Sequence, residues 1–167
     1  MNCKIFNSIL LTLCIVLLTS CIQDNSSIDR IHFQYIHSMR IPYNQIIIDI
    51  QLNKNKPSLS VKSMPLNNDD QWSYSKIDTS FTISSDEFNK LTSTIEKMLD
   101  SGLGINDTVS GKDGSEWLLQ FEYKGVTKVY KAWSPDYDTK NRELNNFMEN
   151  CRLIVETAKL KPILIRE

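Results

Sequence analysis

His32 and His37 are the only two histidines in the 167 residues. Five positions apart on one extended segment, they point to opposite faces of a strand and do not chelate a metal together unless a bulge intervenes. No further nitrogen or thiolate ligands accompany them, so no metal site is expected. Gly102, Gly104, Gly111, Gly114 and Gly125 are scattered as turn residues rather than gathered into a phosphate-cradling loop, and no cofactor is expected. A serine nucleophile would want a base and a strained, glycine-flanked elbow, and no G-x-S-x-G occurs. Carboxylates are the remaining route to hydrolysis. Glu116 and Glu122 share one face of an expected strand, yet six residues at roughly 3.3 Å each set them near 20 Å apart, outside the roughly 5–9.5 Å used in glycoside hydrolysis. Asp107, Asp113 and Glu116 lack the spacing of an EF-hand and read as solvated loop acids. Trp72, Tyr74 and Trp133, with Glu116 and Lys131, form a candidate ligand or partner face, because amphipathic rings anchor interfaces. Packing in the core or under a loop is the competing role for those rings.

The elements that must position these groups follow from periodicity. Ile31, Phe33 and Tyr35 alternate with His32 and Gln34, the pattern of a half-buried strand. Ile46, Ile48, Ile50 and Leu52 repeat it, Asn53 to Pro57 supply turn chemistry, and Leu59 and Val61 resume it, which predicts a hairpin. Trp72 and Tyr74 alternate with serines in a short expected strand, and Phe81 and Ile83 alternate just before a helix. That helix is announced by Ser84 and Glu87 at capping-box spacing and by Ile83 and Phe88 at staple spacing. Its apolar face is Phe88, Leu91, Ile95, Met98 and Leu99, with Ser101-Gly102 as its stop.

Residues 106 to 115 read as a loop. Beyond it Trp117, Leu119, Phe121 and Tyr123 alternate toward Lys124-Gly125, which closes a two-residue turn into Val126 to Trp133. In that register Tyr123 faces Val126, Phe121 faces Lys128, Leu119 faces Tyr130 and Trp117 faces Ala132. Pro135 ends the strand and Asp136 to Thr139 are expected to open a helix carrying Leu144, Phe147, Met148, Cys151, Ile154, Val155 and Ala158 in one stripe. Pro162 limits its continuation. The order predicts an α+β fold, an antiparallel β-sheet with two amphipathic helices packed on one face.

The amino-terminal segment carries chemistry of another kind. Lys4 is followed by about fourteen mostly apolar residues, Ile5 to Leu18, and small Ser20 precedes Cys21. This is the order of a secretory signal, and the run is shorter than the roughly twenty apolar residues needed to cross a bilayer. Leu18-Thr19-Ser20-Cys21 resembles the lipobox of bacterial lipoproteins. The resemblance implies that residues 1–20 are removed as a lipoprotein signal peptide. It also implies that Cys21 is lipidated, with a thioether-linked diacylglyceryl group and usually an amide-linked acyl chain such as palmitate. Each buried methylene adds about 0.8 kcal/mol, so two or more chains give lasting attachment to membrane lipid. Residues 21–30 are then a lipidated flexible tether of at most about 30 Å beyond the cysteine, and residues 31–167 a single α+β domain. Ile22 stands where the enteric sorting rule places an aspartate for inner-membrane retention, which by resemblance implies the outer membrane of the cell envelope.

Removal of residues 1–20 takes away Lys4, Cys3 and Cys14, leaving 147 residues with 18 basic and 20 acidic side chains and a formal charge of −2. No nucleic acid is expected as a partner, since that would call for a basic patch. With Cys21 acylated, Cys151 is left alone, expected as a small buried hydrophobe. Asp107-Thr108-Val109 resembles the O-glycosylation triplet of exported Bacteroidota proteins, which marks Thr108 as the candidate acceptor. Ile83-Ser84-Ser85-Asp86-Glu87-Phe88, Asp113-Gly114-Ser115-Glu116-Trp117 and Trp133-Ser134-Pro135-Asp136 resemble small uncharacterised lipoproteins of the Bacteroidota, a resemblance that implies no activity. The expectation is a non-enzymatic envelope lipoprotein that binds an envelope protein as an accessory, inhibitory or immunity-type module. The alternatives are an envelope glycan or peptidoglycan hydrolase with converging loop carboxylates, and a structural envelope-assembly protein.

Overall fold

A computed structural model describes residues 27–39, 44–54, 56–63, 76–100 and 107–160. Their elements are β1 (Ile28–His37), β2 (Gln45–Asn53), β3 (Lys56–Ser63), β4 (Ile77–Thr82), α1 (Ser85–Asp100), β5 (Ser115–Tyr123), β6 (Val126–Trp133) and α2 (Asn145–Thr157). The strands form one six-stranded sheet in the order β4-β3-β2-β1-β5-β6, with every neighbouring pair antiparallel. Among the described residues the fold is therefore α+β with two helices, as expected. Trp72 and Tyr74 lie outside the described residues, as do the export segment, Cys21, Gly102 and Pro162.

Parity decides what each strand buries. Ile31, Phe33 and Tyr35 of β1 pair with Ile50, Ile48 and Ile46 of β2 and with Phe121, Leu119 and Trp117 of β5. All nine are buried. Trp117 meets Phe33 and Tyr35 edge-on, at 5.8 and 5.6 Å between ring centres, the geometry that brings a ring's positive edge to a negative face. These residues form one buried cluster with Phe88, Leu91, Ile95 and Met98 of α1 and Phe147, Cys151 and Ile154 of α2.

β1 begins at Ile28, three residues ahead of the alternation seen from Ile31. An even position should face away from the core, yet Ile28 is fully buried. The reason is a bulge: Ile28 opposes Tyr123 while Ile31 opposes Phe121, so β1 spends one more residue than β5. The extra residue returns Ile28 to the core side and leaves Asp29 and Arg30 exposed.

The hairpin of β5 and β6 has the register expected of it, from Tyr123 opposite Val126 to Trp117 opposite Ala132. Lys124 and Gly125 have φ of 51° and 75°, the left-handed pair that matches a two-residue turn to the strands' own twist. The capping box of α1 is also formed. The Glu87 amide donates to Ser84 Oγ at 3.1 Å, and the Ser84 amide and hydroxyl donate back to the Glu87 carboxylate at 2.7 and 2.8 Å. Those two donors hold Glu87 below the usual carboxylate range.

α2 starts at Asn145, later than the expected opening at Asp136 to Thr139. Asp138 and Glu143 take left-handed φ of 53° and 56°, which limits 136–144 to isolated turns such as the Arg142 amide on the Asp138 carbonyl rather than a continuous helix. The Tyr137 carbonyl accepts from the Arg142 guanidinium, and the Ser134 carbonyl accepts from both that guanidinium and the Tyr137 amide. The apolar stripe itself is as expected: Leu144, Phe147, Met148, Cys151, Ile154, Val155 and Ala158 are all buried.

Candidate functional site

The positions opposite the core build the second face of the sheet. One row across it runs Ser80, Ser60, Asp49, His32, Gln120 and Val129, each the register partner of the next. His32 Nδ1 lies 2.8 Å from Asp49 Oδ1, with both side chains about a quarter exposed, at 26% and 28%. Beside this pair is a depression of about 320 Å³ lined by Arg30, Asp49, Gln51, Ser58, Ser60 and Ser80. Serine, histidine and aspartate thus meet, but in an order that does not make a nucleophile. Asp49 stands between Ser60 and His32, and Gln120 is the neighbour on the histidine's far side. A base must touch the hydroxyl that it deprotonates, and this register sets the acid there instead.

Toward the other end of the strands the same face carries three half-buried aliphatic side chains, Ile47 and Leu118 on either side of Gln34 and Ile36 in the next row. Val129, at the end of the His32 row, is 54% exposed. Glu116 and Lys131 pair across β5 and β6 at 2.7 Å. Exposed as they are, they contribute little to stability, but they fix opposite charges beside the aliphatic group. Of the expected face, Glu116, Lys131 and Trp133 therefore cluster at one corner.

Trp133 is half-buried, and its cover is a loop of the chain itself. A Cβ on Gly111 would lie 2.3 Å from the indole Cζ2, and one on Gly114 would lie 2.4 Å from Ser134 Oγ and 2.7 Å from the same indole carbon. Only glycines let backbone approach a ring that closely. The loop is fastened on its other side by Ser38, whose amide donates to the Gly114 carbonyl at 3.1 Å while its hydroxyl accepts from the Gly114 amide at 3.1 Å.

Asp107 departs from the sequence expectation of a solvated acid. Its carboxylate is 5% exposed and is paired with Arg142, whose side chain is 8% exposed. Arg142 Nη1 also donates to the carbonyls of Ser134 at 2.8 Å and Tyr137 at 2.6 Å, and Nη2 to that of Trp133 at 2.6 Å. A carboxylate enclosed by a guanidinium in this way holds a loop. Asp113 and Thr108 are exposed on the same loop.

The two histidines fall on opposite faces as their spacing predicts. His37 Nδ1 accepts from the Met39 amide at 3.1 Å. Among the described residues no group of three or more histidine, cysteine, aspartate or glutamate side chains is placed to hold a metal ion. Cys151 is fully buried, and burial pushes its thiol well above the usual range.

Two pairings escaped the sequence. His32 and Asp49 are 17 residues apart and Asp107 and Arg142 are 35. The first was within reach of a register argument, since pairing β1 with β2 in the observed alignment sets the two directly opposite. The second joins two irregular segments, and periodicity carries no signal for it.

The chain matches no protein-family model and no curated protein. No helix among the described residues is long and apolar enough to cross a membrane.

Proposed function

We propose that this chain is a lipoprotein of a bacterial envelope, attached through acylated Cys21, whose second sheet face binds another envelope protein without transforming it. In this reading both helices cover the same side of the sheet, which is supported by the single buried cluster joining α1, α2 and the odd positions of β1. The observation that carries the binding role is the composition of the opposite side. Half-buried Ile36, Ile47 and Leu118 lie between the hydrogen-bonded His32 and Asp49 on one side and the ion pair of Glu116 with Lys131 on the other. Protein-binding surfaces combine an apolar centre with a polar rim in this manner. Attachment rests on the lipobox resemblance at Leu18-Thr19-Ser20-Cys21, and an outer-membrane address on Ile22.

The test recovers the tagged full-length chain from envelopes after mild crosslinking, beside Cys21→Ser and Ile47→Arg versions. Mass spectrometry of the amino-terminal peptide is expected to show a diacylglyceryl thioether on Cys21. A near-stoichiometric protein is expected with the parent chain and not with Ile47→Arg, whose charge would sit in the apolar centre. Unmodified Cys21 would refute the anchoring, and recovery of no protein above the Cys21→Ser background would refute the binding.

A further inference from the structure

β6 ends the sheet with a row of main-chain groups that nothing among the described residues pairs. The two-residue turn makes Tyr123 and Val126 a hydrogen-bonded pair, and bonded pairs alternate from there. Lys128, Tyr130 and Ala132 therefore bond inward to β5, while the peptide groups of Thr127, Val129, Lys131 and Trp133 point outward. The Trp133 carbonyl is taken by Arg142 at 2.6 Å. Thr127, Val129 and Lys131 remain, each with an N–H and a C=O that have no partner among the described residues.

We propose that this edge pairs with the same edge of a second copy, antiparallel about a twofold axis at Val129, so that two six-stranded sheets become continuous. In that register Val129 faces Val129 of the partner subunit, and Thr127 faces the partner's Lys131. The outward groups of Thr127, Val129 and Lys131 then meet outward groups, while Trp133 falls opposite the partner's turn and its carbonyl stays with Arg142. An axis at Lys128 would pair only Thr127 with Val129 and leave Lys131 opposite the turn at Gly125, and one at Tyr130 would set Thr127 against the occupied Trp133. An axis between residues would set outward groups against inward ones.

The side chains agree with the register. Val129, 54% exposed, gains an apolar contact with its own counterpart. Lysines on an edge strand ordinarily discourage pairing, but Lys131 is already neutralised by Glu116 at 2.7 Å. The strand Val-Thr-Lys-Val-Tyr-Lys-Ala-Trp has no proline, glycine or bulge to spoil the edge.

Val126 and Val129 are equally exposed, at 55% and 54%, which supplies an internal control. A hydrogen-bonded antiparallel pair holds its Cα atoms about 5.5 Å apart, within the range that a disulfide spans. Full-length Val129→Cys under mild oxidation is therefore expected to give a disulfide-linked dimer. Val126→Cys is expected to give roughly tenfold less, because the two copies of that residue would stand about 20 Å apart. Val129→Pro removes only an outward N–H and is expected to turn a sedimenting dimer into a monomer with the same circular dichroism. Equal crosslinking at 126 and 129 would overturn the proposal. So would a parent chain that sediments as a monomer up to its solubility limit, or the finding that a segment of another protein occupies this edge.

Discussion

Arg142 is the residue on which most irregular structure hangs. It serves one carboxylate and the carbonyls of Trp133, Ser134 and Tyr137, so truncation leaves a buried anion and orphaned acceptors together. Arg142→Ala is expected to cost about 3–5 kcal/mol in urea unfolding. Asp107→Asn, which keeps one accepting oxygen for the guanidinium, should cost less. At Gly111 the effect is steric: a methyl group 2.3 Å from the Trp133 ring must lift the loop. Gly111→Ala should lose about 1–3 kcal/mol and shift the indole N–H resonance of Trp133. Cys151 should stay unmodified by iodoacetamide in the native protein and react once denatured, because its thiol is enclosed and its ionisation disfavoured by burial.

At the scale of elements, the capping box of α1 is the local device with a pH signature. Glu87 has a folded pKa below its ordinary value. Its contribution to stability is thus complete above the usual carboxylate range and is lost as pH falls through the lowered value. Ser84→Ala removes the hydroxyl donor and the cap of the Glu87 amide. It should lower stability by about 0.5–2 kcal/mol at neutral pH and flatten the acid limb of a stability-versus-pH curve. The elements best legible in the sequence are those where several local signals agree. Lys124-Gly125, the aromatic alternation of β5 and the capping box each specify both a boundary and a register. The start of β1 was hidden because a bulge breaks the period at Asp29 and Arg30, and the start of α2 because Asp138 and Glu143 turn left-handed while Arg142 takes the Tyr137 carbonyl. His32 and Asp49 were visible as residues, but their pairing is a property of the β1–β2 alignment, and the role of Asp107 depends on a partner in a different loop.

For the molecule as a whole, the position of β1 in the sheet matters most. The first described segment runs from Ser27 straight into an interior strand, with β2 on one side and β5 on the other. Tension applied from the amino-terminal side acts along that strand, parallel to both ladders. The interstrand bonds are then loaded in shear and must yield together, whereas a load across the sheet would peel neighbouring strands apart in turn. Forced unfolding is governed by the rate of crossing that barrier. Single-molecule pulling between Ser27 and Lys112, along β1, is expected to need a higher force than pulling between Asp78 and Val129 on the two edges. A force equal or lower along β1 would contradict this. Under the proposed attachment at Cys21 with a partner gripping the chain elsewhere, the sheet would act as a tensile link that carries load along its most supported strand.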